Sequence, residues 1–182
     1  MGQKVRKREP SGNTQNAIPR TTHTMAEAES KPMFTDELER QLDSGLRVML
    51  PKDWRGLKIT EFVLISDSSS SFIKVFPQTE YDRFVAKIEN NGNLDELTRN
   101  EHLEEIGSTC KKVQTDSAGR LALPANMCAE IGVGEKNPTV ILKGAVRTFN
   151  IWNPARLKKR NEAKLKLTES GRALSAKKFL GV

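Results

Sequence analysis

The chain has 182 residues, enough to bury a core of its own, and carries 30 Lys and Arg against 23 Asp and Glu, a net charge of +7 at pH 7. Hydrophobic residues make up 36% of it, below the usual globular share, so part of the chain is expected to stay disordered. The composition excludes a disulfide scaffold, with only Cys110 and Cys128 and no CxxC spacing, and a membrane-spanning helix, because no apolar run nears the ~18 residues required.

From the N-terminus, residues 1–32 are rich in Ser, Thr, Asn, Gln, Lys and Pro, with Val5 and Ile18 as isolated branched aliphatics. They read as a disordered basic extension, since they cannot bury enough apolar area to offset ordering entropy. Basic residues there are not followed by an apolar stretch, so no secretory signal is expected, and Arg6 stands where myristoylation wants Ser or Thr. The expectation is a soluble intracellular protein. Charge is unevenly spread: residues 1–35 sum to +3, residues 36–154 to −3 and residues 155–182 to +7. Bulk charge therefore says little about the middle of the chain, where any nucleic-acid contact must rest on placed residues.

Residues 33–78 and 109–160 contain a repeat. Leu42-Asp43-Ser44-Gly45-Leu46-Arg47-Val48-Met49-Leu50-Pro51 recurs 73 residues later as Thr115-Asp116-Ser117-Ala118-Gly119-Arg120-Leu121-Ala122-Leu123-Pro124, with Asp, Ser, Arg, Leu and Pro coinciding in place. Each copy reads as strand, Asp-Ser turn, strand, short helical piece and hairpin. The hairpin strands are Phe62–Ile65 and Phe72–Phe76 in the first copy, Val140–Leu142 and Phe149–Trp152 in the second. Their turns fall at Ser66–Ser71 and Lys143–Arg147, and each copy then meets a proline, Pro77 or Pro154. Pro51 and Pro124 end a strand or open the helical piece after it. Four short strands make a poor sheet alone, so two copies are expected to cover each other.

Between the copies, residues 79–108 read as two connecting helices. Thr79 is placed as the cap of the first, in which Tyr81, Phe84, Val85 and Ile88 follow helical spacing, and Asn91-Gly92 stops it. The second spans Asn93–Ile106 and ends at Gly107. Residues 161–182 form a basic C-terminal tail, and the whole stretch 155–182, interrupted by Gly171, reads as frayed and suited to non-specific phosphate contact.

The chemistry-bearing candidates are Asp43 with Arg47 and Asp116 with Arg120. An Asp opening the turn can fold back on the Arg that starts the next strand and hold its guanidinium in one orientation. That planar fork of donors matches guanine O6/N7 or phosphate oxygens, and orienting it beforehand lowers the entropy lost on binding. Lys52, Arg55 and Lys58 after the first copy, and Lys111 and Lys112 before the second, are candidates for phosphate contacts. Taken singly, each turn is also an ordinary hairpin with a surface ion pair worth little; two copies in register weigh against that reading.

At these residues the sequence resembles AbrB-type DNA-binding regulators, and two such units joined by helices resemble the MraZ family. The resemblance spans roughly residues 33–160 and rests on Met33-Phe34 with Leu42-Asp43, on Asp116–Pro124, and on Phe149-Asn150-Ile151-Trp152-Asn153-Pro154. It implies a β-rich α+β fold in which two swapped-hairpin units form a pseudo-twofold barrel with connecting helices. It further implies a cytoplasmic, nucleoid-associated transcriptional regulator, a repressor of a division and cell-wall gene cluster. Such a protein binds tandem repeats in double-stranded promoter DNA as a ring-shaped homo-oligomer. Asp43, Arg47, Asp116 and Arg120 carry over as the DNA-binding residues. The first copy departs from the family pattern: Gly45-Leu46 stands where the glycine ordinarily precedes the arginine directly, an altered turn expected to aim Arg47 differently.

Three other readings compete. An AbrB-like antitoxin would carry one copy rather than two. An enzyme finds little support: Gly132-Val133-Gly134-Glu135-Lys136 lacks the spacing of a phosphate loop and the Ser or Thr after Lys. With His23 and His102 isolated, no acid–base constellation, metal site or small-molecule substrate is expected. A general nucleic-acid binder without promoter specificity would use the tails, but aromatics are 5% of the chain and not interleaved with basic residues. No cofactor and no membrane partner are expected.

Overall fold

The computed structural model describes residues 1–2, 33–66 and 71–167. The readings of residues 3–32 as a disordered extension and of residues 168–182 as a tail lie outside the described residues. The chain divides into two units, Met1–Ser30 and Lys31–Val182, and the second carries every element that follows.

The first half runs β1 (Glu37–Gln41), β2 (Arg47–Met49), α1 (Lys52–Arg55), β3 (Glu61–Ile65) and β4 (Phe72–Pro77). Two helices follow, α2 (Gln78–Glu89) and α3 (Glu96–Thr109). The second half repeats the order as β5 (Cys110–Gln114), β6 (Arg120–Ala122), α4 (Ala125–Ile131), β7 (Thr139–Ala145) and β8 (Thr148–Trp152), and ends in α5 (Pro154–Leu167). This is an α+β fold whose strand pairings are all antiparallel. Proline punctuates both halves: Pro51, Pro77 and Pro124 sit at helix N-caps with φ of −53°, −53° and −60°, the torsion their rings impose.

The halves do not fold separately. The six-stranded sheet has the order β1-β7-β8-β4-β3-β5, and β2 pairs with β6. The first strand of each half thus joins the hairpin of the other: β1 lies on β7, with Glu37 opposite Lys143, and β5 on β3, with Glu61 opposite Gln114. Exchanging β1 with β5, β2 with β6, β3 with β7 and β4 with β8 reproduces the same order in reverse, the topological signature of a pseudo-twofold axis. Isolated bridges Leu42–Val48 and Thr115–Leu121 tie β2 and β6 to β1 and β5.

Mutual coverage supplies one hydrophobic core. Val48 and Leu121 from the two short strands, Phe62 and Leu64 from β3, Val140 and Leu142 from β7 and Phe149 and Ile151 from β8 are all buried in it. At its centre Phe149 lies 5.2 Å from Phe34, 4.8 Å from Trp54 and 5.9 Å from Phe62, ring centre to ring centre.

Four local expectations are corrected. Thr79 is not a cap: β4 runs through Pro77, which pairs with Phe62, so α2 starts at Gln78 with Pro77 at its N-cap. Gly107 does not end α3; the helix is capped at its start by Asp95, whose side chain accepts from the Thr98 N–H at 2.9 Å, and continues until Cys110 enters β5. Lys143 to Ala145 are strand rather than turn, because Lys143 is paired on both sides, to Glu37 and Asn150. The reversal narrows to Val146, whose φ is 66°, with Arg147 N–H donating to the Ala145 carbonyl at 2.9 Å.

The fourth correction concerns residues 155–167, which form an ordered helix rather than a frayed stretch. Asn153 Oδ1 accepts from Ala155 N–H at 2.9 Å while its Nδ2 donates to the Gly132 carbonyl at 2.8 Å. Arg156 donates to the Glu130 carbonyl at 2.7 Å, Leu157 is buried, and the Arg160 guanidinium sits 4.7 Å from the Trp152 ring. These contacts dock the first turns, and α5 crosses the boundary placed between residues 160 and 161.

Candidate nucleic-acid interface

Each Asp-x-x-x-Arg turn closes on itself. Asp43 Oδ1 accepts from the N–H groups of Gly45 and Arg47, both at 2.9 Å, and Oδ2 accepts from Arg47 Nε at 2.9 Å. Asp116 repeats this with Ala118 N–H at 3.0 Å, Arg120 N–H at 2.9 Å and Arg120 Nε at 2.7 Å. The reach is local: a side chain opening a turn meets the N–H groups two and four residues on.

The two turns are built alike despite the shifted glycine. The residue before each Arg must take positive φ, +80° at Gly119 and +55° at Leu46. Glycine does so freely; Leu46 does so with its side chain packed against the core. The expected difference in the aim of Arg47 is not observed, since both arginines meet their own Asp through Nε. Gly119 has a further role, because a Cβ there would fall 2.2 Å from Arg55 Cδ. Arg55, from the first half, lies across the second turn with Nη1 3.4 Å from the Ala118 carbonyl.

β2 and β6 turn this pair into one surface. Met49 stands opposite Arg120, Val48 opposite Leu121 and Arg47 opposite Ala122. Side chains alternate along a strand, and Val48 and Leu121 are buried on the inner face. Arg47, Met49, Arg120 and Ala122 therefore share the outer face, with the arginines on its diagonal, roughly 7–8 Å apart. Their side chains are 41% and 36% exposed, open to a ligand yet held through Nε. Arg120 Nη1 also lies 3.6 Å from Asp43 Oδ2, so one arginine is shared between the turns. Nε is thus engaged in both arginines, and in Arg120 Nη1 is drawn toward Asp43 as well. A two-stranded ribbon is of a size to enter the DNA major groove, and a guanidinium end matches guanine O6/N7.

Backbone N–H donation from Arg47 and Arg120, followed by the guanidinium contacts, holds the Asp43 and Asp116 carboxyls below the usual carboxylate range despite partial desolvation. A depressed folded-state value adds stability above the unfolded carboxyl range near 3.9, and that stability is lost as pH falls through the folded value. The expected result is a melting temperature that declines from about pH 5 downward. The Asp43→Asn/Asp116→Asn double variant should show a shallower decline, read by thermal scans from pH 6 to 2. Equal slopes for the two proteins would exclude these carboxyls as contributors. Burial pushes the Cys128 thiol up to about 11, so it stays protonated and unreactive near neutrality.

The five other basic candidates are scattered. Arg55 joins the second turn rather than the first. Lys52 opens α1, and Lys58 follows it with φ of 55°; both are exposed. Lys111 and Lys112 lie exposed on β5, four and more residues before Asp116. The juxtaposition of the two turns, the sharing of Arg120 and the placement of Arg55 have no counterpart in linear spacing. The 73-residue repeat is the available signal, because equivalent short strands in a pseudo-twofold arrangement can pair with each other. Among the described residues no helix is long and apolar enough to cross a membrane, and no three His, Cys, Asp or Glu side chains gather as a metal would require.

Comparison with known proteins gives consistent matches. A protein named transcriptional regulator MraZ from Rhodospirillum rubrum is 30% identical over 139 residues, covering 72% of this chain and 86% of its own. Proteins of the same name from Treponema pallidum and Caulobacter vibrioides are each 27% identical, over 123 and 124 residues, covering 68% and 66% of this chain and 80% and 77% of theirs. No family model matches the chain.

Proposed function

The chain belongs to the MraZ family, and from that premise we propose that it is a transcriptional regulator that binds double-stranded promoter DNA sequence-specifically. In this reading it represses a division and cell-wall gene cluster and acts at the nucleoid in the cytoplasm. Two AbrB-type swapped-hairpin units would form its barrel, and a ring-shaped homo-oligomer would set several ribbons on tandem promoter repeats. The exchange of β1 and β5 between halves supports the swapped-hairpin description.

The observation that carries the reading is the β2–β6 ribbon, with Arg47 and Arg120 on one exposed face, each braced by its own Asp. Bracing fixes the orientation of each guanidinium toward a base edge, while Lys52, Arg55, Lys58, Lys111 and Lys112 are available to phosphates that position the protein without reading sequence.

The test is fluorescence anisotropy with a duplex from upstream of the chain's own gene and with a scrambled duplex, across a salt series. Arg47→Ala and Arg120→Ala should each reduce the preference for promoter DNA by roughly 5- to 150-fold, the worth of one bidentate base contact. Lys52→Ala or Lys58→Ala should instead weaken both duplexes alike and lower the salt slope by about one for each phosphate no longer neutralised. Full preference in both arginine variants would overturn the assignment. Equal affinity of the wild type for both duplexes would favour a general nucleic-acid binder.

A further inference from the structure

One large apolar side chain stands among the charged ones on the outer face of the β2–β6 ribbon. Of the exposed large hydrophobic side chains among the described residues, Met49, 36% exposed, is the one that lies on β2 or β6. An isolated exposed apolar residue carries no meaning by itself, so its placement decides. Met49 pairs directly with Arg120 across the ribbon, roughly 4.5–5.5 Å away between Cβ atoms. It follows Arg47 by two residues, roughly 7 Å along the same strand face. Both ends of the ribbon are tied: Leu50 N–H donates to the Gly119 carbonyl at 3.2 Å, and Leu123 N–H to the Leu46 carbonyl at 3.0 Å. The backbone that presents Met49 is therefore held in the same ribbon that presents the arginines.

The second half has no such residue. Ala122 is the equivalent of Met49 in the 73-residue repeat and stands opposite Arg47. The two arginines thus have different neighbours, a long thioether beside Arg120 and a single methyl beside Arg47. A guanidinium suits guanine and phosphate, whereas a methionine suits neither. In the major groove the apolar group at a base edge is the C5 methyl of thymine, while guanine, adenine and cytosine present acceptors or amino donors. A thioether is polarizable and adapts its rotamers to the surface it meets. Packing it on that methyl removes apolar area of both partners from water.

We propose that Met49 is a specificity-determining residue that packs against the C5 methyl of a thymine close to the guanine read by Arg120. The separation of Met49 and Arg120 corresponds to between one and two base-pair rises of about 3.4 Å, so the thymine lies within about two steps of that guanine. Ala122, being shorter, leaves the equivalent base beside Arg47 less strictly read. The element recognised by one chain is then asymmetric, with a thymine required beside one guanine and not beside the other. The inference deepens the promoter-binding reading above and rests on it.

Competition anisotropy on the full chain checks this, with the duplex from upstream of its own gene in which each thymine is replaced in turn by deoxyuridine. That exchange deletes the C5 methyl and keeps base pairing. The wild type should lose about fourfold in affinity at one thymine of a repeated element, the worth of one buried methyl group, and be indifferent at the others. Met49→Ala should bind the unmodified duplex more weakly by a similar factor and be indifferent to deoxyuridine at that thymine. Met49→Leu, which keeps an apolar end, should remain sensitive there. Circular dichroism melts of both variants should match the wild type, since the side chain is exposed. A wild type that prefers promoter DNA yet tolerates every deoxyuridine overturns the inference and leaves the promoter-binding reading standing. A Met49→Ala variant that keeps the wild-type sensitivity also overturns it, because the side chain is then a wedge between base steps or a general contact rather than a reader of the methyl. A wild type with no preference for promoter DNA overturns both.

Discussion

Gly144→Ala is expected to lower stability by about 3–5 kcal/mol, although Gly144 lies far in sequence from the turns that carry the proposed function. Here the requirement is close approach of two backbones rather than unusual torsion. A Cβ at 144 would fall 2.4 Å from the Phe34 carbonyl oxygen, 2.6 Å from its carbon and 2.7 Å from Thr35 Cα, all backbone atoms that cannot swing aside. That segment is held by Phe34 N–H to Val146 O at 2.8 Å, Val146 N–H to Phe34 O at 3.0 Å and Gly144 N–H to Asp36 O at 2.8 Å. Making room breaks or stretches these bonds, each worth about 1 kcal/mol net, and draws Phe34, 1% exposed, out of the core at about 1.5–3 kcal/mol. For a chain of this size the melting temperature should fall by roughly 10 °C. A change under about 2 °C would mean that the Phe34 segment contributes little to the native state.

Phe149→Ala should cost a similar 3–5 kcal/mol, roughly the range for large-to-alanine changes in a packed core. Phe149 is fully buried and touches the rings of Phe34, Trp54 and Phe62, which come from before β1, from α1 and from β3. Deleting its ring leaves a cavity that three separate elements must relax to fill. Urea denaturation should report the loss as a lower midpoint, and Phe149→Leu should recover most of it. A midpoint unchanged within error would show that the cluster packs no better than solvent. Phe149 also stands opposite Gly144 in the β7–β8 register, and both act on Phe34. The double variant should therefore cost less than the sum of the singles. Arg47→Ala and Arg120→Ala, on the outer face of the ribbon, should spare stability and remove binding preference, which separates core effects from site effects.

The order of strand, turn, strand, helical piece and hairpin is readable in both halves, because apolar runs and proline fall at fixed places in each. Helix ends are less so. Gly107 reads as a stop and Thr79 as a cap, whereas α3 runs on to Thr109, where Cys110 turns extended into β5, and Pro77 opens α2. The stretch 155–167 reads as frayed because its leucines are irregularly spaced. Asn153, Arg156 and Arg160 anchor it instead, through the Gly132 and Glu130 carbonyls and the Trp152 ring, partners supplied by other elements.

What the sequence alone determined about this protein is local. Asp43 and Asp116 grip Arg47 and Arg120 because a carboxylate opening a tight turn lies within reach of the N–H groups and guanidinium of the next few residues. The tertiary structure decided everything that joins the copies: β1 on β7, β5 on β3, the diagonal of two arginines across β2 and β6, Asp43 reaching Arg120, and Arg55 lying over Gly119. Those contacts bridge residues as much as 106 positions apart, as between Glu37 and Lys143. They follow from two incomplete hydrophobic faces covering each other, a condition on the whole chain that no single stretch of it contains.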